Sequence, residues 1–167
     1  NSLEHSAAAE TYTNVGPLSL NRAIPNENIA FIGSGPAGLT CAYHLARMGY
    51  GVTVFEAFPV LGGMLRVGIP EYRLPKKVLE EEIDQILELG VKTEINTRLG
   101  ADFLLGDLKE YPAVFLAMGN HRSKSLGIPG ENSAGVMSGL EFLRNVSLGK
   151  EVALGKRVAV IGGGNTA

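Results

Sequence analysis

An α/β fold, a parallel sheet flanked by helices, is predicted by three observations. Short continuous apolar runs end in glycine, segments with a 3.6-residue apolar period lie between them, and two glycine-rich turns each follow directly on an apolar run. With 167 residues, 45% hydrophobic and 19% charged, the chain has the composition of a globular protein, which excludes disorder for most of it. One domain is the default at this length, because a chain of about 150 residues buries roughly 70% of its unfolded surface. Fifteen Lys and Arg against 17 Asp and Glu leave a formal charge of −2. That lacks the basic surplus phosphate-backbone binding needs, so no nucleic acid partner is expected.

The elements follow in order. Residues 1–27 show no sustained period and read as a linker or arm without nameable chemistry. Ile29-Ala30-Phe31-Ile32 ends at Gly33, as a strand buried on both faces would. Residues 36–48 place Leu39, Ala42, Tyr43 and Ala46 on one helical face, with Gly49 and Gly51 at the end. Residues 52–56 form the second strand and complete a right-handed βαβ unit. Residues 58–75 are rich in Gly and Pro and read as a long shaped loop. Pro75 opens a helix with the stripe Val78, Leu79, Ile83, Ile86 and Leu87, stopped by Gly90. Its acidic run Glu80, Glu81, Glu82 and Asp84 reads as a solvated face. Residues 91–95 alternate like a strand, 113–118 are expected as another buried strand, and Ser138-x-x-Glu141 is a capping box that opens a helix. Residues 157–161 are expected as the final strand.

Gly33-Ser34-Gly35-Pro36-Ala37-Gly38 stands between strand and helix as G-x-G-x-x-G, the position at which it can bind a dinucleotide. Gly33 permits the tight turn, Gly35 admits a pyrophosphate to the backbone, and Gly38 lets the helix settle on the sheet. Glu56, 23 residues after Gly33 and at the end of the second strand, suits a carboxylate that binds a ribose hydroxyl. A glycine turn that binds nothing is the competing reading. Gly162-Gly163-Gly164-Asn165-Thr166-Ala167 is a second fingerprint, and an inert motif is the favoured reading of it within this chain. Two fingerprints in one chain imply a hydride passed between two dinucleotides, of which flavin and nicotinamide are the natural pair. A non-catalytic dinucleotide-binding or subunit-assembly module is the alternative.

The single cysteine, Cys41, excludes an internal disulfide, a dithiol redox pair and an iron-sulfur or zinc site of several thiolates built from this sequence alone. It reads as a small core residue in a reducing, cytoplasmic setting. The apolar run at 114–118 is far shorter than the ~20 residues that span a bilayer, so no membrane is expected. His5, His44 and His121 are assigned no role. The chain starts at Asn1 and ends inside a glycine motif, and both ends are expected to be cuts through a longer protein.

Gly33-Ser34-Gly35-Pro36-Ala37-Gly38-Leu39 and the run Leu61-Gly62-Gly63-Met64-Leu65-Arg66-Val67-Gly68-Ile69-Pro70-Glu71-Tyr72-Arg73-Leu74-Pro75 together resemble the small (beta) subunit of NADPH-dependent glutamate synthase. The flavin-binding part of dihydropyrimidine dehydrogenase and the beta subunits of electron-bifurcating ferredoxin-NADP oxidoreductases are similar. The resemblance covers residues 28–167 and includes Ala117-Met118-Gly119 and Leu126-Gly127-Ile128-Pro129-Gly130-Glu131. It implies a Rossmann-like FAD/NAD(P)-binding fold, with a partial FAD-binding domain at 28–150 and the truncated start of an NAD(P)H-binding domain at 151–167. By the same resemblance Gly33, Ser34, Gly35, Pro36, Ala37, Gly38 and Glu56 hold the FAD pyrophosphate and adenosine ribose. Gly63, Met64 and Arg66 lie along the flavin, Phe103 approaches the adenine, and Ala117 and Gly119 support the cofactor. Gly162, Gly164 and Asn165 belong to the NADPH (or NADH) site. Arg66 and Arg73 have surface charge as their plainer reading, and Met118 and Asn120 depart from the family pattern, which more often has Thr or Ile and Ala there. The implied activity is hydride transfer from NADPH to FAD, with electrons passed to iron-sulfur clusters in missing parts or in a partner, a larger glutamate synthase-like or other redox subunit. The isolated piece is expected to be inactive and largely free of flavin.

Overall fold

The computed structural model describes residues 27–164 and Thr166. The arm up to residue 26, with His5, and the fingerprint residues Asn165 and Ala167 lie outside the described residues. Strand β1 (Asn28–Ile32), helix α1 (Pro36–Arg47) and strand β2 (Gly51–Phe55) form the first unit. A short helix α2 (Met64–Val67), helix α3 (Lys76–Leu87), strand β3 (Lys92–Glu94), a 3-10 turn at Leu105–Leu108, strand β4 (Val114–Leu116) and helix α4 (Gly139–Ser147) follow.

The four strands form one parallel sheet in the order β3-β2-β1-β4. Ile32 registers with Phe55 on one side and Leu116 on the other, so the strand ends that precede the glycine turns lie level. β1 is apolar throughout its second half because both of its faces are covered. Phe31 points to the α1 side, where it packs with Ala42, Val52, Val54 and Val91. Ala30 and Ile32 point to the opposite side, onto Leu108 with Phe55, Phe103 and Tyr111 around it. Leu39 on α1 meets Leu79 and Ile83 on α3, so the stripe expected on α3 is the one it buries. Cys41 packs half-buried against the Phe31 cluster, as a small apolar residue does.

Three expectations change. The strand expected at 113–118 is shorter, and Val114, Phe115 and Leu116 are exposed rather than buried. Among the described residues β4 is an edge strand, paired to β1 alone, with Phe115 resting on the Phe31 ring at 5.4 Å. Residues 157–161 form no strand: a strand needs a neighbour to satisfy its backbone, none pairs with this run among the described residues, and Ile161 is 77% exposed. The loop at 58–75 contains one turn of helix, Met64–Val67, held between glycines. Among the described residues no helix is long and apolar enough to cross a membrane.

Gly33 tests the tightness of this arrangement. Its φ of +105° is strained for any side chain, and a Cβ there would lie 2.9 Å from the Ala117 carbonyl carbon. Gly33→Ala should destabilise the protein by about 3 kcal/mol in urea denaturation, combining backbone strain with displacement of β4.

Candidate functional site

The sheet order reverses at β1, since β2 and β3 lie on one side of it and β4 on the other. In open parallel sheets the crevice at the carboxyl ends beside such a reversal is where ligands bind. A cavity of about 770 Å³ occupies that place.

Each glycine of the first turn has a separate physical task. The Gly33 amide donates to the Phe55 carbonyl at 2.8 Å, which turns the chain out of β1. A Cβ at Gly38 would fall on the Gly33 carbonyl oxygen, so only glycine lets α1 descend onto the sheet. A Cβ at Gly35 would meet nothing within 4 Å beyond its two chain neighbours, and the Gly35 φ of −71° suits any residue. The fold therefore does not need glycine at position 35; the open space in front of it does. α1 starts there with no side-chain cap, which leaves the amides of its first turn for something outside the helix.

The second glycine run closes over the first. Gly62 and Gly63 have φ of +108° and +53°, and a Cβ at Gly63 would lie 2.7 Å from the Gly35 Cα. The Gly62 amide is shared between the Ser34 carbonyl at 3.0 Å and the Ser34 hydroxyl at 3.2 Å. Behind this loop the Lys76 ammonium donates to the Ile69 carbonyl at 2.6 Å and the Leu65 carbonyl at 3.3 Å. Burial there lowers the Lys76 pKa, against the opposing pull of Glu71.

Glu56 is 5% exposed and still reaches the cavity wall. Its Oε2 accepts from the Ser34 amide at 2.9 Å and from the Ser34 hydroxyl, and its Oε1 accepts from the Phe58 amide at 2.9 Å. Three donors compensate the burial of one carboxylate.

Of the residues named from the sequence, Gly33, Gly35, Pro36, Ala37 and Glu56 lie on the wall of this cavity, as do Gly63, Met64, Ala117 and Gly119. Ser34 and Gly38 are buried behind it and act on the backbone and on Glu56. Arg66 points to α3, where its guanidinium pairs with Glu80 at 2.7 Å, so part of the acidic run is engaged rather than only solvated. Phe103 packs on Phe55 with ring centroids 5.1 Å apart and lines a separate cavity of about 270 Å³. Gly162 and Gly164 are exposed and lie off both walls, in a segment without regular structure. The motif at 126–131 is a turn held by Glu131, which accepts from the Ser125 hydroxyl and the amides of Leu126 and Gly127. Those bonds, the Ser125 one foremost, hold the Glu131 carboxyl below its usual range.

The wall also contains residues that sequence reasoning left out. Arg98, Arg122 and Arg144 reach it from three separate segments, in a chain whose net charge is negative. No local motif joins them, so only the fold could reveal the cluster. His121, given no role from the sequence, lies on the same wall with its ring 5.4 Å from that of Phe58. Its Nδ1 is buried and has no hydrogen-bond partner among the described residues. An anionic ligand with hydrogen-bonding oxygens matches this donor set.

A family model described as pyridine nucleotide-disulphide oxidoreductase matches residues 27–167. The chain is 51% identical over 145 residues to the NADP(+)-dependent formate dehydrogenase subunit beta of Moorella thermoacetica, covering 84% of this chain and 20% of that one. It is 45% identical over 160 residues to the NADPH-Fe(3+) oxidoreductase subunit beta of Geobacter sulfurreducens, covering 92% and 24%. It is 39% identical over 153 residues to the glutamate synthase (NADPH) small chain of Escherichia coli, covering 84% and 32%. The chain thus spans a fifth to a third of the length of these curated relatives. Among solved structures, Mycobacterium tuberculosis FprA in complex with NADPH is similar with a TM-score of 0.65 and 26% identity, covering 71% of this chain and 28% of that one.

The three donors on Glu56 make a prediction that needs no ligand. Glu56→Gln places an amide nitrogen against one of them and should cost the ligand-free protein about 2 kcal/mol, read as a lower urea midpoint. An unchanged midpoint would show that the carboxylate is not part of the scaffold.

Proposed function

The chain belongs to the pyridine nucleotide-disulphide oxidoreductase family, and from that premise we propose that residues 28–150 are the FAD-binding portion of an NAD(P)H-dependent oxidoreductase of the glutamate synthase small-subunit type. Residues 151–167 are then the beginning of its nicotinamide-dinucleotide unit. The observation that carries the reading is the open space in front of Gly35, at an uncapped helix start in a cavity whose wall holds three arginines. The fold gains nothing from glycine at that position, whereas a pyrophosphate gains direct access to the backbone amides. The resemblance to relatives whose names carry NADPH or NADP supports the nicotinamide half of the proposal.

In this reading the Ala37 and Gly38 amides and the α1 dipole hold the pyrophosphate, and Glu56 accepts from the adenosine ribose. Gly63, Met64, Gly119 and His121, all on the wall of the same cavity, would be the residues that hold a flavin ring. Arg98, Arg122 and Arg144 offset the ligand's negative charge and speed its approach. A bound flavin would supply acceptance of a hydride from reduced nicotinamide and release of electrons one at a time. This chain's residues bind, orient and shield from water, so no protein acid or base is required of them. Relatives named as beta subunits and small chains support a partner redox subunit as the acceptor; transfer through iron-sulfur clusters and a cytoplasmic setting are parts of the same proposal.

Gly35→Val tests the reading directly. Because the added Cβ meets nothing within 4 Å beyond its chain neighbours and the backbone there is extended, the variant should melt near the wild-type temperature. Its FAD affinity, followed by flavin fluorescence, should fall at least a hundredfold, equivalent to about 2.7 kcal/mol. Normal FAD binding by a folded Gly35→Val protein would make the fingerprint purely structural. Bound flavin that NADPH cannot bleach in the parent enzyme would favour a binding module without turnover.

A further inference from the structure

We propose that Lys76 is a positioning residue for the flavin end of the cavity: by holding the carbonyls of Leu65 and Ile69 it fixes the part of the wall that Met64 contributes, while the pyrophosphate end is fixed without it. The inference rests on the dinucleotide reading above and separates what supports its two ends. The second glycine loop is held at two places. At its start the Gly62 amide donates to the Ser34 carbonyl at 3.0 Å and the Ser34 hydroxyl at 3.2 Å, which ties Gly62 and Gly63 to the turn around Gly35. After Gly63 the chain enters α2, whose four residues are too few for a helix that stands alone, and whose last carbonyls have no partner within it. Val67 anchors α2 from below by full burial. From the side, the Lys76 ammonium donates to the Leu65 carbonyl at 3.3 Å and to the carbonyl of Ile69, the residue after the helix-ending Gly68, at 2.6 Å. One side chain thus clamps both α2 and the chain that leaves it.

Glu71 fixes the base of the clamp, because its Oε1 accepts from the Lys76 amide at 3.0 Å and so fastens the first residue of α3 to the same loop. The neighbouring cations are placed differently. Arg66 also joins α2 to α3, but its partner Glu80 is half in water, where an ion pair contributes little. Lys77 is exposed and faces Glu81 at 3.8 Å. Lys76 is half-buried, and the burial that lowers its pKa is offset by two backbone acceptors. Without the ammonium both carbonyls lose a donor, and a ligand that touches Met64 has to order the loop as it binds. That ordering cost lowers its affinity. A ligand that ends at the pyrophosphate meets the part of the loop that Ser34 holds, and is spared it.

The test is calorimetric titration of the wild type, Lys76→Met and Leu87→Ala with ADP and with FAD. Lys76→Met should bind ADP within about twofold of the wild type and FAD about tenfold more weakly, the fold-change expected for one lost hydrogen bond to a charged group. Leu87→Ala loosens α3 at its far end, where Leu87 packs against the core, and should lower the melting temperature while changing both affinities by one factor. Equal losses of ADP and FAD in Lys76→Met would make Lys76 merely structural and overturn its positioning role, as would an unchanged FAD affinity. If Lys76→Met does not fold, Lys76→Gln, which keeps an amide donor on a shorter stem, decides by the same ratio: a fall in FAD relative to ADP supports the proposal and an unchanged ratio overturns it. A wild type that takes up ADP but not FAD would overturn the flavin half of the reading, and this inference with it. Saturable binding of neither ligand would overturn the dinucleotide reading itself.

Discussion

Backbone packed directly on backbone at the carboxyl end of β1 is the constraint on which the rest of the molecule depends. Gly38 lies on the Gly33 carbonyl, Gly33 lies against Ala117, and Gly63 lies against Gly35. Side chains at these three positions would force apart α1, β4 and the second glycine loop in turn. With them absent, the start of α1, the end of β4 and the loop before α2 converge on one cavity. Gly35 differs in kind, because its missing side chain leaves a space that the protein does not fill.

Polar groups bind the same region from beneath. Ser34 is the node, joined to Glu56 through both amide and hydroxyl and to Gly62 through its carbonyl and hydroxyl oxygens. A buried carboxylate is costly unless its oxygens are satisfied, and here the satisfying groups also set the spacing between β1, β2 and the loop. The loop after β3, the segment after β4 and α4 each contribute an arginine to the cavity wall, three against the one carboxylate of Glu56, in a chain of net charge −2. The formal charge of the wall residues and that of the whole chain therefore have opposite signs, and the wall is what a phosphate meets.

Much of the region 28–95 is legible in the sequence because local chemistry decides it. The apolar run before Gly33, Pro36 at the helix start and the stripe on α3 each encode one element, and each forms where it was expected. The acidic residue at the end of β2 is also found by spacing alone. The engagement of Glu56 by Ser34 is not, because it joins side chains 22 positions apart. Arg98, Arg122, Arg144 and His121 escape notice for the same reason, as nothing in their neighbours marks a shared cavity. The run at 157–161 shows the converse: Val158, Val160 and Ile161 have strand propensity, yet a strand exists only where another pairs with it. Among the described residues β4 is paired on one side only and is correspondingly exposed, which an apolar run by itself does not reveal.

The most direct measurement of the central claim is an amide chemical-shift map recorded while FAD is added to the protein. Binding at the start of α1 predicts saturable shifts at Gly35, Ala37 and Gly38, accompanied by Ser34, Glu56 and Gly63, with the amides along α3 unchanged. Saturable shifts confined to the exposed face of β4 and α4, or no saturable shift at any residue, would contradict it.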